Sequence, residues 1–219
     1  PPPRTCRRQR QMCIRDRGKT TQLPHITGYL ESRGVPCVVT REPGGTVIGA
    51  KIRSVLLNPE SRGMEPLTEL FLYVADRIEH VHKVILPALD SGKSVVCDRF
   101  LDATTVYQGY VRGLDTALIQ RLHRLISDRL TPDLTLLFDL PAEIGLARAW
   151  RQIENGNRTG EETRFEKEAL AFHEKIRAGY LDLARREPDR FCIIDAAKNE
   201  SAVKNDVLAC IDRVMKQNR

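Results

Sequence analysis

An α/β fold built on a doubly wound parallel sheet is what this chain of 219 residues predicts. Four short runs rich in β-branched residues, at 35–40, 94–97, 134–138 and 191–194, are continuously apolar rather than alternating. That is the pattern of strands covered on both faces, as in a parallel sheet. Longer segments of helical period lie between them, at 68–90, 115–130 and 163–186, so strand and helix alternate along the chain. Punctuation falls at the expected boundaries: Gly34 closes the first helix, Gly92 follows the helix ending near Asp90, and Pro132 follows Leu130.

The length suits one well-buried core, with no internal repeat. No apolar run approaches a membrane span and no signal segment is recognisable, so a cytoplasmic protein is expected. The net charge of +6 is concentrated in residues 1–17, where Arg4, Arg7, Arg8, Arg10, Arg15 and Arg17 face one acid, Asp16. The remainder is nearly neutral, so no nucleic acid is expected on the folded domain. The six cysteines show neither a C-x-x-C pair nor metal spacing. Cys37, Cys97 and Cys192 fall in strand-like runs and read as small buried thiols in a reducing compartment rather than as a disulfide framework.

Chemistry first appears at Gly18-Lys19-Thr20-Thr21-Gln22, "GKTTQ". It has the end of a phosphate-binding loop, G-x-x-x-x-G-K-[ST], whose backbone N–H groups cradle phosphates while Lys and a hydroxyl follow. Its beginning departs from that pattern, because Cys13 stands at the first glycine and Arg15, Asp16 and Arg17 crowd the turn. Such a loop follows a strand, and only Met12, Cys13 and Ile14 are consecutively apolar before it. No buried strand is expected there.

The later strands end in polar groups that a parallel sheet brings to one edge: Thr40-Arg-Glu-Pro-Gly-Gly-Thr46, and Asp98-Arg99-Phe100 running on to Tyr107-Gln108-Gly109. Glu42-Pro-Gly-Gly45 alone would read as a tight turn and Asp98-Arg99 as a strand-end salt bridge. Beside a phosphate loop, an acid ending a strand is suited to Mg²⁺ and an adjacent arginine to a transferring phosphoryl group. Residues 152–162, "QIENGNRTGEE", form the one polar, glycine-containing stretch long enough for a mobile loop.

Taken together, "GKTTQ", "TREPGGT" at 40–46, "IRSVLL" at 52–57, "TELFLYVADRIEHV" at 68–81, "DRFLDATTVYQG" at 98–109, "PDLTLLFDL" at 132–140 and "RFE" at 164–166 resemble the bacterial thymidylate kinases. The resemblance implies a P-loop NTPase fold in a single nucleoside monophosphate kinase domain over residues 18–219, with a small lid at about 148–164. It implies phosphoryl transfer from ATP to dTMP with Mg²⁺, and a homodimer formed through helices within 67–88 and 114–126. In its terms, Gly18, Lys19, Thr20, Thr21 and Arg148 bind ATP, and Thr20 and Asp98 hold the metal. Lys19, Asp98, Arg99, Arg53, Arg151 and Arg158 are the catalytic set, with Arg164 a further lid candidate. Glu42, Arg53, Tyr73, Arg77, Arg99, Thr104, Tyr107 and Gln108 bind dTMP: Tyr73 stacks on thymine, Arg77, Thr104 and Gln108 read the base, and Tyr107 crowds the 2′ position of the sugar.

The departure lies at the start. The resemblance implies an apolar first strand, a glycine at position 13 and an acid at 15, where this chain has Cys13 and Arg15. Residues 1–17 therefore read as an atypical, non-native segment, with weak ATP binding expected of the chain as it stands. The rival readings are another nucleoside monophosphate or deoxynucleoside kinase, and a non-catalytic nucleotide- or nucleic-acid-binding protein.

Overall fold

The computed structural model describes residues 9–13, 19–126, 130–155 and 163–217, with side chains for 21–126, 130–155 and 163–216. Among the described residues the strands are β1 (Gln9–Cys13), β2 (Cys37–Arg41), β3 (Ser94–Asp98), β4 (Leu134–Asp139) and β5 (Phe191–Asp195). They form one sheet of order β2-β3-β1-β4-β5, every pair parallel. The helices are α1 (Lys19–Ser32), α2 (Val47–Leu57), α3 (Pro66–His80), α4 (Leu86–Asp90), α5 (Leu101–Thr104), α6 (Thr116–Ile126), α7 (Ala142–Glu154), α8 (Leu170–Arg186) and α9 (Glu200–Gln217). A π-helical stretch, Val81–Ile85, joins α3 to α4, and another, Thr105–Val111, continues α5.

Alternate residues of β3 and β4 serve two cores, which is why these two interior strands are buried along nearly their whole length. Val96, Leu134, Leu136 and Phe138 pack with Ile26 and Leu30 of α1 and Val207 and Ile211 of α9. On the opposite face Val95 and Cys97 meet Leu70, Val74 and Ile119 of α3 and α6, and Leu137 meets Ile176 and Tyr180 of α8. The ends of α5 and β5 are fastened by Arg190, which donates to both oxygens of buried Asp102 at 2.7 and 2.9 Å and to Thr135 Oγ1 at 3.0 Å.

The expectation that no strand precedes Gly18 is overturned. β1 occupies the centre of the sheet, running from Gln9↔Val95 to Met12↔Asp98 against β3 and from Arg10↔Leu134 to Cys13↔Leu137 against β4. Two parallel strands with a gap between them present rows of unpaired backbone groups, and an extended segment of any composition can satisfy those rows. The pairing belongs to the backbone, so the apolar pattern of residues 9–13 does not report it.

Two further expectations are corrected. Cys192 of β5 is bonded to Cys210 of α9, their Cα atoms 6.4 Å apart. The pair is made by α9 folding back over β5, and a sequence separation of 18 residues carries no signal of that. The helix expected over 163–186 begins only at Leu170, because residues 163–166 are buried in turns tied to α2, Arg164 N–H donating to Leu57 O at 3.2 Å.

Candidate active site

The carboxyl ends of β1, β2 and β3 lie side by side, and α1 begins at Lys19 after β1 ends at Cys13. Beyond β2 the chain stays attached to β3, Glu42 N–H donating to Asp98 O at 2.9 Å. The turn that follows leaves no room for side chains. A Cβ on Gly44, whose φ is +104°, would meet Arg53 Cδ at 2.8 Å, and one on Gly45 would meet His80 Cδ2 at 2.6 Å. The glycines therefore let Arg53 and α3 close on the turn from two sides, and Arg53 Nη1 donates to Pro43 O at 3.1 Å.

Helix α3 turns a polar stripe inward. Glu69, Tyr73, Arg77 and His80 recur at helical spacing on one face, and all four are buried. Arg77 Nε donates to Glu42 Oε2 at 2.9 Å, Nη2 donates to Thr104 Oγ1 at 2.9 Å, and Nη1 lies 3.0 Å from His123 Nε2. A guanidinium cannot accept, so the His123 nitrogen is the acceptor. Burial first, and then the Arg77 charge, lower the His123 pKa to about 3. The other Glu42 oxygen takes His80 Nδ1–H at 2.8 Å, and His80 Nε2 faces the Thr40 hydroxyl at 2.7 Å. Glu42 and Thr104 thus act on Arg77 and hold its fork in one plane.

At the end of β3, Arg99 has a φ of +69° without being glycine. Such a residue costs on the order of 1–3 kcal/mol of local strain and is held only where its surroundings over-determine it. Its guanidinium lies 4.3 Å from the Tyr107 ring centroid, within electrostatic reach of Tyr180 and Tyr73 as well. Its Nη1 is buried and has no hydrogen-bond partner among the described residues. A permanent cation with an unused donor, boxed by tyrosines at a sheet's carboxyl edge, is arranged to take an anionic oxygen.

The structure brings together Glu42, Arg53, Tyr73, Arg77, Asp98, Arg99, Thr104, Tyr107 and Gln108 around this edge. Thr21 is exposed in the first turn of α1. The backbone of Lys19 and Thr20 opens that helix, while their side chains, Gly18 and Arg158 lie outside the described residues. Arg148 donates to Ala196 O at 3.1 Å beyond β5, and Arg151 is exposed on α7. Arg164 is corrected as a lid arginine: it is buried, donates to Leu56 O at 3.0 Å and pairs with Glu69 at 2.6 Å. Sequence reading missed Glu69, Asp76, His80 and His123. For the three on α3 a signal existed, since charged residues recur on the same helical face as Leu70 and Tyr73. His123 gave none.

A doubly wound parallel sheet whose carboxyl edge gathers buried arginines beside a G-K-T helix start defines a nucleotide-handling protein of the P-loop type. Thymidylate kinase is the family whose sequence profile matches, over residues 16–207. The chain is 56% identical over 206 residues to the thymidylate kinase of Desulfosudis oleivorans, covering 94% of this chain and 96% of that one. It is 52% identical over 200 residues to the thymidylate kinase of Desulforapulum autotrophicum, covering 91% and 88%. The crystal structure of thymidylate kinase from Ehrlichia chaffeensis superposes with a TM-score of 0.72 at 31% identity, covering 94% of this chain and 98% of that chain. The chain belongs to the thymidylate kinase family.

Asp76 supplies a test of the electrostatics around α3. Its Oδ1 accepts Gly44 N–H at 2.9 Å, and its pKa is raised to about 6 by burial first and by Glu42 second. A carboxyl whose folded pKa exceeds its ordinary 3.8 gives stability that is complete below that value and lost as pH rises through about 6. Asp76→Asn keeps an acceptor for Gly44 and does not ionise. It is expected to be more stable than the parent by about 1–3 kcal/mol above about pH 7 and to lose that advantage near pH 4. Denaturant melts across that range check it.

Proposed function

We propose that this chain transfers the γ-phosphoryl group of ATP to dTMP at the carboxyl edge of the sheet, giving dTDP and ADP. The observation that carries this reading is Arg99, strained at φ +69° and buried with an unused Nη1. Phosphoryl transfer asks a protein chiefly for positioning and for charge on the equatorial oxygens. Arg99 and Arg53 supply planar donors for those oxygens and for the dTMP phosphate. Tyr73 offers its ring to thymine from the buried face of α3, with Arg77 four residues on presenting donors to the base edge. Tyr107, buried under Arg99, closes the space beside the sugar and favours deoxyribose.

ATP enters over the amino end of α1, whose dipole and backbone N–H groups favour phosphate. Lys19, Thr20 and Thr21 would line that side and Arg148 and Arg151 would reach it from α7, while Arg158, outside the described residues, is the proposed lid arginine. Among the described residues no group of three or more His, Cys, Asp or Glu gathers to hold an ion. Mg²⁺ is commonly held by one or two carboxylates together with phosphate oxygens. Half-buried Asp98 at the end of β3 and the Thr20 hydroxyl are its proposed holders. When bound there, Mg²⁺ would supply positive charge that offsets the charge on the phosphates during transfer.

A cytoplasmic site of action follows from the substrates, and no described helix is long and apolar enough to cross a membrane. A homodimer is supported by the exposed apolar residues Val47, Ile48 and Val55 of α2 and Leu67, Phe71 and Ile78 of α3. The proposed partner face lies on α2 and α3; on α6, Ile119 and Ile126 are buried in the core while Leu125 is exposed.

Three outcomes are expected. ADP formation should be well ahead with dTMP over UMP and CMP, and Arg99→Ala should cut turnover by about 10²–10³ with the melting curve little changed; equal rates on dTMP and UMP would sink the assignment. The double substitution Cys13→Gly, Arg15→Glu should tighten ATP binding and raise turnover, since glycine admits close phosphate approach and Arg15 places a cation where the family has an acid. An unchanged Kd for ATP would show that the native loop is competent. In sedimentation equilibrium the protein should be a dimer and Phe71→Glu a monomer, as a charge placed at the centre of an apolar contact opposes association.

A further inference from the structure

Glu69 is a fully buried acid on α3, one helical turn before Tyr73, and it touches Gln108 as well as cations. One oxygen accepts from Gln108 Nε2 at 2.7 Å; the other pairs with Arg164 at 2.6 Å, with Arg112 beyond at 3.5 Å. Gln108 is itself buried, at 1% exposure, in the π-helical stretch next to Tyr107. A carboxylate held by two arginines accepts hydrogen bonds and donates none. An amide facing it must therefore turn its NH₂ end toward it, which leaves the carbonyl oxygen as the end that faces away.

We propose that Glu69 is a specificity-determining positioning residue: by pinning the Gln108 amide in the oxygen-out orientation, it presents an acceptor to the N3–H of thymine and opposes a base that has an acceptor at that position. The proposal rests on the dTMP reading given above. Thymine offers a donor at N3, whereas cytosine offers a lone pair there. With the amide locked, a carbonyl oxygen meets that lone pair and leaves both groups buried without a proton between them, which is costly. An unlocked amide could turn over and donate to cytosine instead. Arg77, which presents donors to the same base edge, is unaffected by this lock.

The test reads binding of dTMP and dCMP to the whole chain by calorimetry without ATP, so that it does not depend on the phosphate loop. Glu69→Gln keeps the shape of the side chain but can donate as well as accept, and it frees the Gln108 amide to turn. The ratio of the dCMP Kd to the dTMP Kd is expected to fall about tenfold or more, because sites built around one hydrogen-bond pattern reject the wrong one by far larger factors. Arg164→Leu removes the ion pair and leaves the contact with Gln108, so it should lower thermal stability with the ratio unchanged. If Glu69→Gln does not fold, Glu69→Asp retains the charge beside Arg164 while drawing it away from Gln108, and the same fall in ratio is expected. A folded Glu69 variant that weakens both nucleotides equally overturns the proposal. A parent protein that binds dCMP as tightly as dTMP overturns the substrate reading instead.

Discussion

The buried pairing of Glu42 with Arg77 is the interaction on which the candidate site depends. Taking two charges out of water costs several kcal/mol for each ion, and the cost is met only when their remaining donors and acceptors are also satisfied. Here His80 fills the second oxygen of Glu42, and Thr104 and His123 take further donors of Arg77. These contacts fasten the turn after β2, helix α3, helix α5 and helix α6 to one point. With Arg77 fixed, the periodicity of α3 fixes Tyr73 and Glu69 one and two turns away.

A second constraint acts from β3. Arg99 sits where the strand must turn sharply into α5, and its left-handed backbone lays the guanidinium over Tyr107. The strain is local, but its restraint is spread over the sheet, since β3 is paired on both sides by β1 and β2. A central parallel strand cannot shift register without breaking both ladders. The cation is thus held at the end of a strand paired on both sides, beside the π-helical stretch that carries Tyr107 and Gln108.

How much of this was legible in the residues depended on which physical term made each feature. Continuous apolar runs mark β2 to β5, but two-sided burial holds only for β3 and β4: at the sheet edges, β2 and β5 leave Val39 and Ile193 about half exposed. Glycines in "REPGG" report a close approach, and the Arg53 stem and His80 ring fill the space. β1 left no trace of that kind, because a ladder of backbone groups places no demand on side-chain polarity. Arg164 misled for a related reason: an arginine after a polar loop looks solvated until Glu69 is placed opposite it.

The sequence by itself determined the fold class, the convergence of the G-K-T, R-E-P-G-G and D-R segments on one edge, and the family, since all three rest on local spacing and on the topology of parallel connections. Tertiary structure alone decided the pairings among distant residues: Glu42 with Arg77 and His80, Glu69 with Gln108 and Arg164, Asp102 with Arg190, and Cys192 with Cys210. These partners lie 18 to 95 residues apart in the chain, the range running from Cys192–Cys210 to Glu69–Arg164. A buried polar group selects its partner by distance and direction within a few ångströms, and those exist only once the helices have docked on the sheet.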